Sequence, residues 1–323
     1  MRIAKAAFIC VILASPVWAQ SGWRPEKQVE IIVPTSPGGG NDVSARLMQK
    51  MLNEQKLVPT AVLVLNKAGG NQALSVNYLM QHPADPHYLL FATPTLMTNQ
   101  IRGVTQYQYT DFPPLGLPFV DSQAFMVPAD SPFKTMRDLL ARLKTDPESV
   151  AFSVVARGGT SHAVTALVAK AAGVDSDRLK LVVYKTSADA ATAMMGGHIQ
   201  AAVSSAAGST PHVTAGRIRM LAIAAPERRT GELAAVPTLK ELGIDAPSLA
   251  TWRCMFGAKG MTPAQVSFWQ EALGRAFAAD EYRSHMEKNN VAAPPLRGKE
   301  LVDYLEDQYK HTRSVLVDIG MAK

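Results

Sequence analysis

Two stretches of this chain are built alike. Residues 29–48 read VEIIVPTSPGGGNDVSARLM and residues 150–169 read VAFSVVARGGTSHAVTALVA, about 120 residues apart. Each begins with a β-branched apolar run that reads as a buried strand. Each then passes through glycines and short polar residues into apolar residues at helical spacing, such as Val43, Leu47 and Met51. A chain that twice leaves a strand, turns on bare backbone and enters a helix is confined to a narrow set of folds. The rest of the sequence keeps the rhythm. Strands are expected at 60–65 and Tyr88–Ala92, then at 124–127, 181–184, 199–203 and 220–224. Helices are expected at 41–52, 72–80, 135–143, 162–172, 188–195 and 299–317, and Thr262-Pro263 opens another by the cap-then-proline order. Alternation of this kind predicts an α/β protein with parallel sheets flanked by helices, here in two lobes with a cleft between them.

The glycine loops locate the expected site. A helix start exposes unpaired N–H groups and the positive end of the helix dipole, and glycine lets a ligand approach the backbone. Gly38, Gly39 and Gly40 on one side and Gly159, Thr160 and Ser161 on the other would together hold an anion without an arginine. Thr35, Ser36, Asn41, Thr160 and Ser161 add side-chain hydrogen bonds. The plainer alternative is that the glycines only make tight turns and that Asp42 and Ser161 only cap helices. His162, beside the second loop, is the histidine expected to line the cleft. The backbone is read as the principal anchor; Arg157 and Arg253 are the side chains that could displace it, each either a surface charge or a guanidinium fork that clamps the carboxylate.

Bulk properties narrow the class. Arg2 and Lys5, the apolar run from residue 6 to 13 and Val17-Trp18-Ala19 read as an export signal over residues 1–19. That run is too short to span a bilayer. Cys10 leaves with the signal, so Cys254 stands alone, read as a small buried side chain. The formal charge is +6, or +4 without Arg2 and Lys5. The charges are scattered, with no basic block, so nucleic acid is not expected, and a mildly positive field suits a small anion. The 47% hydrophobic content supports a substantial core.

Enzyme signatures are missing. Val43 stands where a dinucleotide fingerprint needs its third glycine, and no lysine follows the glycines as in a phosphate-binding loop. There is no G-x-S-x-G elbow and no H-E-x-x-H. No catalytic residue, metal or cofactor is expected.

The motifs resemble those of the Bug family of periplasmic solute receptors, the binding component of tripartite tricarboxylate transporters. The likeness rests on Pro37-Gly38-Gly39-Gly40-Asn41-Asp42 with Ala45-Arg46, on Asn66-Lys67, on Thr93-Pro94 and on Gly158-Gly159-Thr160-Ser161-His162. It continues through Tyr184-Lys185, Gly196-Gly197, the segment from Pro211 to Ala222, Val236-Pro237-Thr238 and Thr251-Trp252. The order and spacing of these motifs are specific from about Trp23 to the C-terminus. The resemblance implies a type II-like two-lobed binding protein that is periplasmic and a monomer. It would close on a small organic carboxylate and deliver it transiently to membrane permease subunits. It implies ligand contacts from both glycine loops and from Thr93, Ser204, Ser205 and Trp252. The expected lobes are 20–124 with 251–323, and 125–250.

The chain also departs from the family pattern. Val203-Ser204-Ser205 replaces a common F-D-N, and Ala193 stands where an acidic residue is frequent. A pocket without those acids suits a dicarboxylate or an aromatic carboxylate better than an amino acid. Two other functions fit a cleft of this kind: a ligand sensor for a signalling receptor, and an exported enzyme.

Overall fold

The computed structural model describes residues 22–184, 186–246, 249–288 and 295–323. The expected signal, residues 1–19, lies outside the described residues, as does Lys185. The strands are β1 (Val29–Val33), β2 (Val62–Asn66), β3 (Tyr88–Ala92), β4 (Pro114–Asp121), β5 (Gln123–Pro128), β6 (Ala151–Val154), β7 (Lys180–Val183), β8 (Ala201–Ser205), β9 (Ile218–Ala224) and β10 (Thr251–Gly257). The helices are α1 (Gly40–Glu54), α2 (Ala73–Met80), α3 (Thr95–Ile101), α4 (Met136–Thr145), α5 (Thr160–Ala171), α6 (Ser187–Met195), α7 (Ala206–Thr214), α8 (Pro263–Phe277), α9 (Asp280–Lys288) and α10 (Gly298–Asp318).

These elements form two five-stranded sheets, ordered β2-β1-β3-β10-β4 and β7-β6-β8-β5-β9. Within the first, β1 pairs in parallel with β2 and β3. Within the second, β6 pairs in parallel with β7 and β8. One strand in each sheet runs against both neighbours: β10 against β3 and β4, and β5 against β8 and β9. Each of these strands arrives from the other lobe. Only Ser122 separates β4 from β5, and β10 begins where the chain returns to the first sheet. We propose Ser122 and the approach to Thr251 as the lobe boundaries. The two crossings touch, because Thr251 is opposite Asp121 and the Gln123 side-chain amide donates to Thr251 Oγ1 at 2.6 Å.

Both faces of each sheet are covered, so successive strand residues enter different cores. Ile32, Leu90 and Cys254 face a cluster that continues into the second lobe through Phe125, Phe152 and Val164. Ile31, Leu89 and Met255 face the opposite side, beneath α1 and α8. On the second sheet Ala124, Met126 and Ala202 face a third cluster.

Four elements have weak local signals. β4 carries Pro114, Gly116 and Pro118, which mask its strand character. It is an edge strand, where a missing N–H donor is tolerated. β10 is buried on both faces and shows no alternation. α3 is only seven residues long. α7 contains Pro211, and its start is held by Ser205, whose hydroxyl accepts from the Gly208 amide at 2.9 Å. None of the four was expected from local sequence pattern.

Trp269 fastens α8 to the first sheet. It is fully buried in the cluster beneath that helix, and its indole N–H donates to the Pro86 carbonyl at 2.9 Å. Trp269→Ala is expected to lower the unfolding free energy by about 3–5 kcal/mol. Urea denaturation followed by circular dichroism measures this, and a loss below about 1 kcal/mol contradicts the assignment.

Candidate functional site

The two glycine loops are the same structure made twice. Gly38 and Gly158 have φ of +79° and +74°, a left-handed conformation that favours glycine. Gly39 and Gly159 then take extended backbone as the N-caps of α1 and α5. The Gly39 amide donates to the Ser36 carbonyl at 3.3 Å, and the Gly159 amide to the Ala156 carbonyl at 3.2 Å. In each loop the side chain four residues after the left-handed glycine accepts that glycine's amide. Gly38 donates to Asp42 Oδ2 at 2.9 Å, and Gly158 to His162 Nδ1 at 2.8 Å.

Asp42 and His162 are therefore buttresses behind the loops. Asp42 is buried and also accepts from Arg46 Nε and Asn66 Nδ2, both at 2.9 Å. Burial raises its pKa, but hydrogen bonds from Arg46, the Gly38 amide and Asn66 outweigh that and hold it below the usual carboxylate range. Asn66 also donates to the Thr35 carbonyl at 2.9 Å, tying the loop to the end of β2. For His162, burial first and then the nearby Arg157 and Arg102 charges push the pKa down to about 4. It is neutral at pH 7, with Nδ1 free to accept.

Neither α1 nor α5 has a side-chain N-cap. The residues that open both helices, whose amides lack an intrahelical partner, line a cavity of about 890 Å³ between the sheets. Ten of the residues expected from sequence line it: Thr35, Ser36, Gly39, Gly40, Asn41, Thr93, Gly159, Thr160, Ser161 and Ser205. Five others stand elsewhere. Gly38, Asp42 and His162 shape the loops from behind. Ser204 is buried in β8 next to the lining. Trp252 is buried in the core against Phe256, because β10 turns that face away from the cavity.

Several lining residues were not anticipated. Asn71 and Gln72 follow β2 with φ of 52° and 75°, rare for residues other than glycine. Asn99 holds this turn by donating to the Asn71 carbonyl at 2.7 Å. Gln72 Oε1 accepts from the Thr93 amide at 3.2 Å and from its hydroxyl at 3.0 Å. Thr35, Gln72 and Gln123 line the cavity, and Thr35 Oγ1, Gln72 Nε2 and Gln123 Oε1 are buried atoms without a hydrogen-bond partner among the described residues. Backbone strain of this kind clusters at functional sites, and buried polar atoms are as a rule hydrogen-bonded. Gly69 and Gly70 precede this turn, but the side chains it presents depend on Asn99 and Thr93, far along the chain.

The electrostatics are one-sided. Arg102, Arg157 and Arg253 line the cavity, and no aspartate or glutamate does so among the described residues. Arg102 reaches across from the first lobe and donates to the Arg157 carbonyl at 3.1 Å. A Cβ on Gly158 would stand 2.3 Å from Arg102 Nη1, so that glycine also clears the crossing. Arg253 is not a surface charge, since only 8% of it is exposed.

Comparison with known proteins agrees with this architecture. Residues 44–321 match the profile described as tripartite tricarboxylate transporter family receptor. The chain is 28% identical to protein BugT of Bordetella pertussis, covering 78% of this chain and 76% of that one. Among solved structures it resembles MatC from Rhodopseudomonas palustris with bound malate, at TM-score 0.81 and 20% identity over 90% of this chain and 99% of that one. A second Rhodopseudomonas palustris protein, with adipate, superposes at TM-score 0.84 and 24% identity, covering 92% and 99%.

The depressed pKa of His162 carries a stability signature. The unfolded chain takes up this proton near pH 6.5, whereas the folded chain resists until about pH 4. The unfolded state therefore binds more protons in that window, and stability is lost as pH falls through it. His162→Gln keeps an acceptor for the Gly158 amide but cannot titrate. Its stability should fall less steeply between pH 6.5 and 5, by up to about one proton. Urea midpoints at several pH values test this, and parallel curves for wild type and variant refute it.

Proposed function

The chain belongs to the tripartite tricarboxylate transporter receptor family, and from that premise we propose that it captures a small organic carboxylate in the cleft and delivers it to permease subunits in the membrane. Its family and structural neighbours are solute-binding receptors, not enzymes. The observation that carries the ligand class is the lining: three arginines, two uncapped helix starts and, among the described residues, no carboxylate. Every fixed charge and dipole there favours an anion.

A dicarboxylate or an aromatic carboxylate fits best. The two loops offer one anion position in each lobe, so a ligand with a carboxylate at either end would hold the lobes together. The relatives with malate and adipate support that class. An α-ammonium group would meet arginines and find no acid, which argues against aspartate and glutamate. The periplasm is the proposed location, in keeping with a family of periplasmic receptors and with the export signal read from residues 1–19. No helix among the described residues is long and apolar enough to cross a membrane.

A thermal-shift screen of malate, succinate, adipate, benzoate, terephthalate, aspartate and glutamate tests this. A true ligand at 100 times its Kd adds about 2.7 kcal/mol of stability. At least one non-amino carboxylate is expected to raise the melting temperature, while the two amino acids leave it unchanged. A shift with the amino acids alone refutes the assignment.

A further inference from the structure

Arg253 is the charge that the fold has gone furthest to place. β10 runs against its neighbours, so its first residues emerge where the parallel strands end. Cys254 is opposite Ala92, the last residue of β3, and Arg253 therefore stands just beyond the carboxyl end of that strand. Ligands in open α/β sheets bind at such ends. Its Nε donates to Asn41 Oδ1 at 2.9 Å, which fixes the guanidinium against the first turn of α1. The guanidinium carbon lies 5.9 Å from the centre of the Phe119 ring. A Cβ on Gly40 would be 3.2 Å from Nη2, so the missing side chain there leaves room for the fork.

A guanidinium has five N–H donors, and the Asn41 bond uses one. Among the described residues no carboxylate pairs with it. Asp121 is the acid whose charge it feels, but that carboxylate is occupied elsewhere. It accepts from the Ser122 amide at 2.7 Å, from the Ala207 amide at 3.3 Å and from the Ser205 hydroxyl. Burying a cation without a partner is costly, and a purely structural role would be served as well by an apolar side chain of similar length. The other two arginines differ. Arg157 Nη2 reaches the Leu181 carbonyl at 3.5 Å and Arg102 donates to the Arg157 carbonyl, both in exposed surroundings.

Building on the proposed function, we infer that Arg253 is a specificity-determining side chain that clamps one carboxylate of the ligand bidentately, beside the first-turn amides of α1. Both oxygens of a carboxylate match the planar fork, and the helix start adds its dipole to the same anion. The arrangement selects a planar carboxylate end over an amide or an alcohol. A lysine would keep the charge and lose the fork.

The test is calorimetric titration of the full chain with malate, succinate, adipate and terephthalate, using wild type, Arg253→Met, Arg253→Lys and Arg157→Met. Melting temperatures without ligand are measured alongside. Arg253→Met is expected to weaken carboxylate binding at least 100-fold and Arg253→Lys at least 10-fold. Arg157→Met should weaken it less than about 5-fold. The ligand-free melting temperature of Arg253→Met should equal or exceed that of wild type, an effect that a structural arginine would not produce. If Arg253→Met does not fold, Arg253→Lys decides. Binding within 3-fold of wild type in the decisive variant overturns the clamp while leaving the carboxylate receptor intact. Failure of wild type to bind any of the four probes overturns the carboxylate reading itself, and the clamp falls with it.

Discussion

The first-turn amides of α1 and α5 have no acceptor within their own helices, and the rest of the molecule is arranged around that deficit. Two sheets are needed to bring two helix starts to face each other. One left-handed glycine in each loop turns its strand into its helix. Behind the glycines, Asp42 and His162 accept one amide each, so that the loops hold their shape while the amides in front stay available.

The choice of a carboxylate in one buttress and a neutral imidazole in the other follows from their neighbours. Asp42 sits beside Arg46 and can keep its charge. His162 is buried and sits beside Arg157 and Arg102, so it stays uncharged until about pH 4. The second loop thus pairs two nearby arginines with an imidazole that is neutral at pH 7. With Arg253 pressed against the first loop, positive potential is present at both walls of the cleft. Gln72, Gln123 and Thr35 are uncharged residues of the same lining. In the proposed function, dipoles and one buried guanidinium hold the anion, and ligands are told apart by their ends.

Much of this was legible in the chain itself. The strand, glycine loop and helix units stand out because β-branched runs, glycines and helical spacing are local signals. Ten expected lining residues come together in the cavity because backbone geometry at a strand end places them there. What escaped was set by distant partners. β4 looked unlike a strand because prolines suit an edge, and edge position is a property of the sheet. Trp252 was expected in the site, and Arg253 either there or on the surface. Strand β10 presents alternate residues to opposite faces, and which face meets the cleft depends on its antiparallel seat beside β3.

The sequence by itself determined the α/β class, the two repeated loops, the anion-seeking character of their helix starts and the family resemblance. Each of these depends on short local motifs and on their order along the chain. Only the tertiary structure decided that Asp42 and His162 support the loops from behind, that Asn71 and Gln72 reach the cavity, and that Arg253 is buried in its wall. Those outcomes rest on contacts between residues far apart in the chain, such as Arg253 with Asn41 and Arg102 with Arg157. No local pattern encodes them, because burial and charge pairing are fixed only when both partners have been brought to the same place.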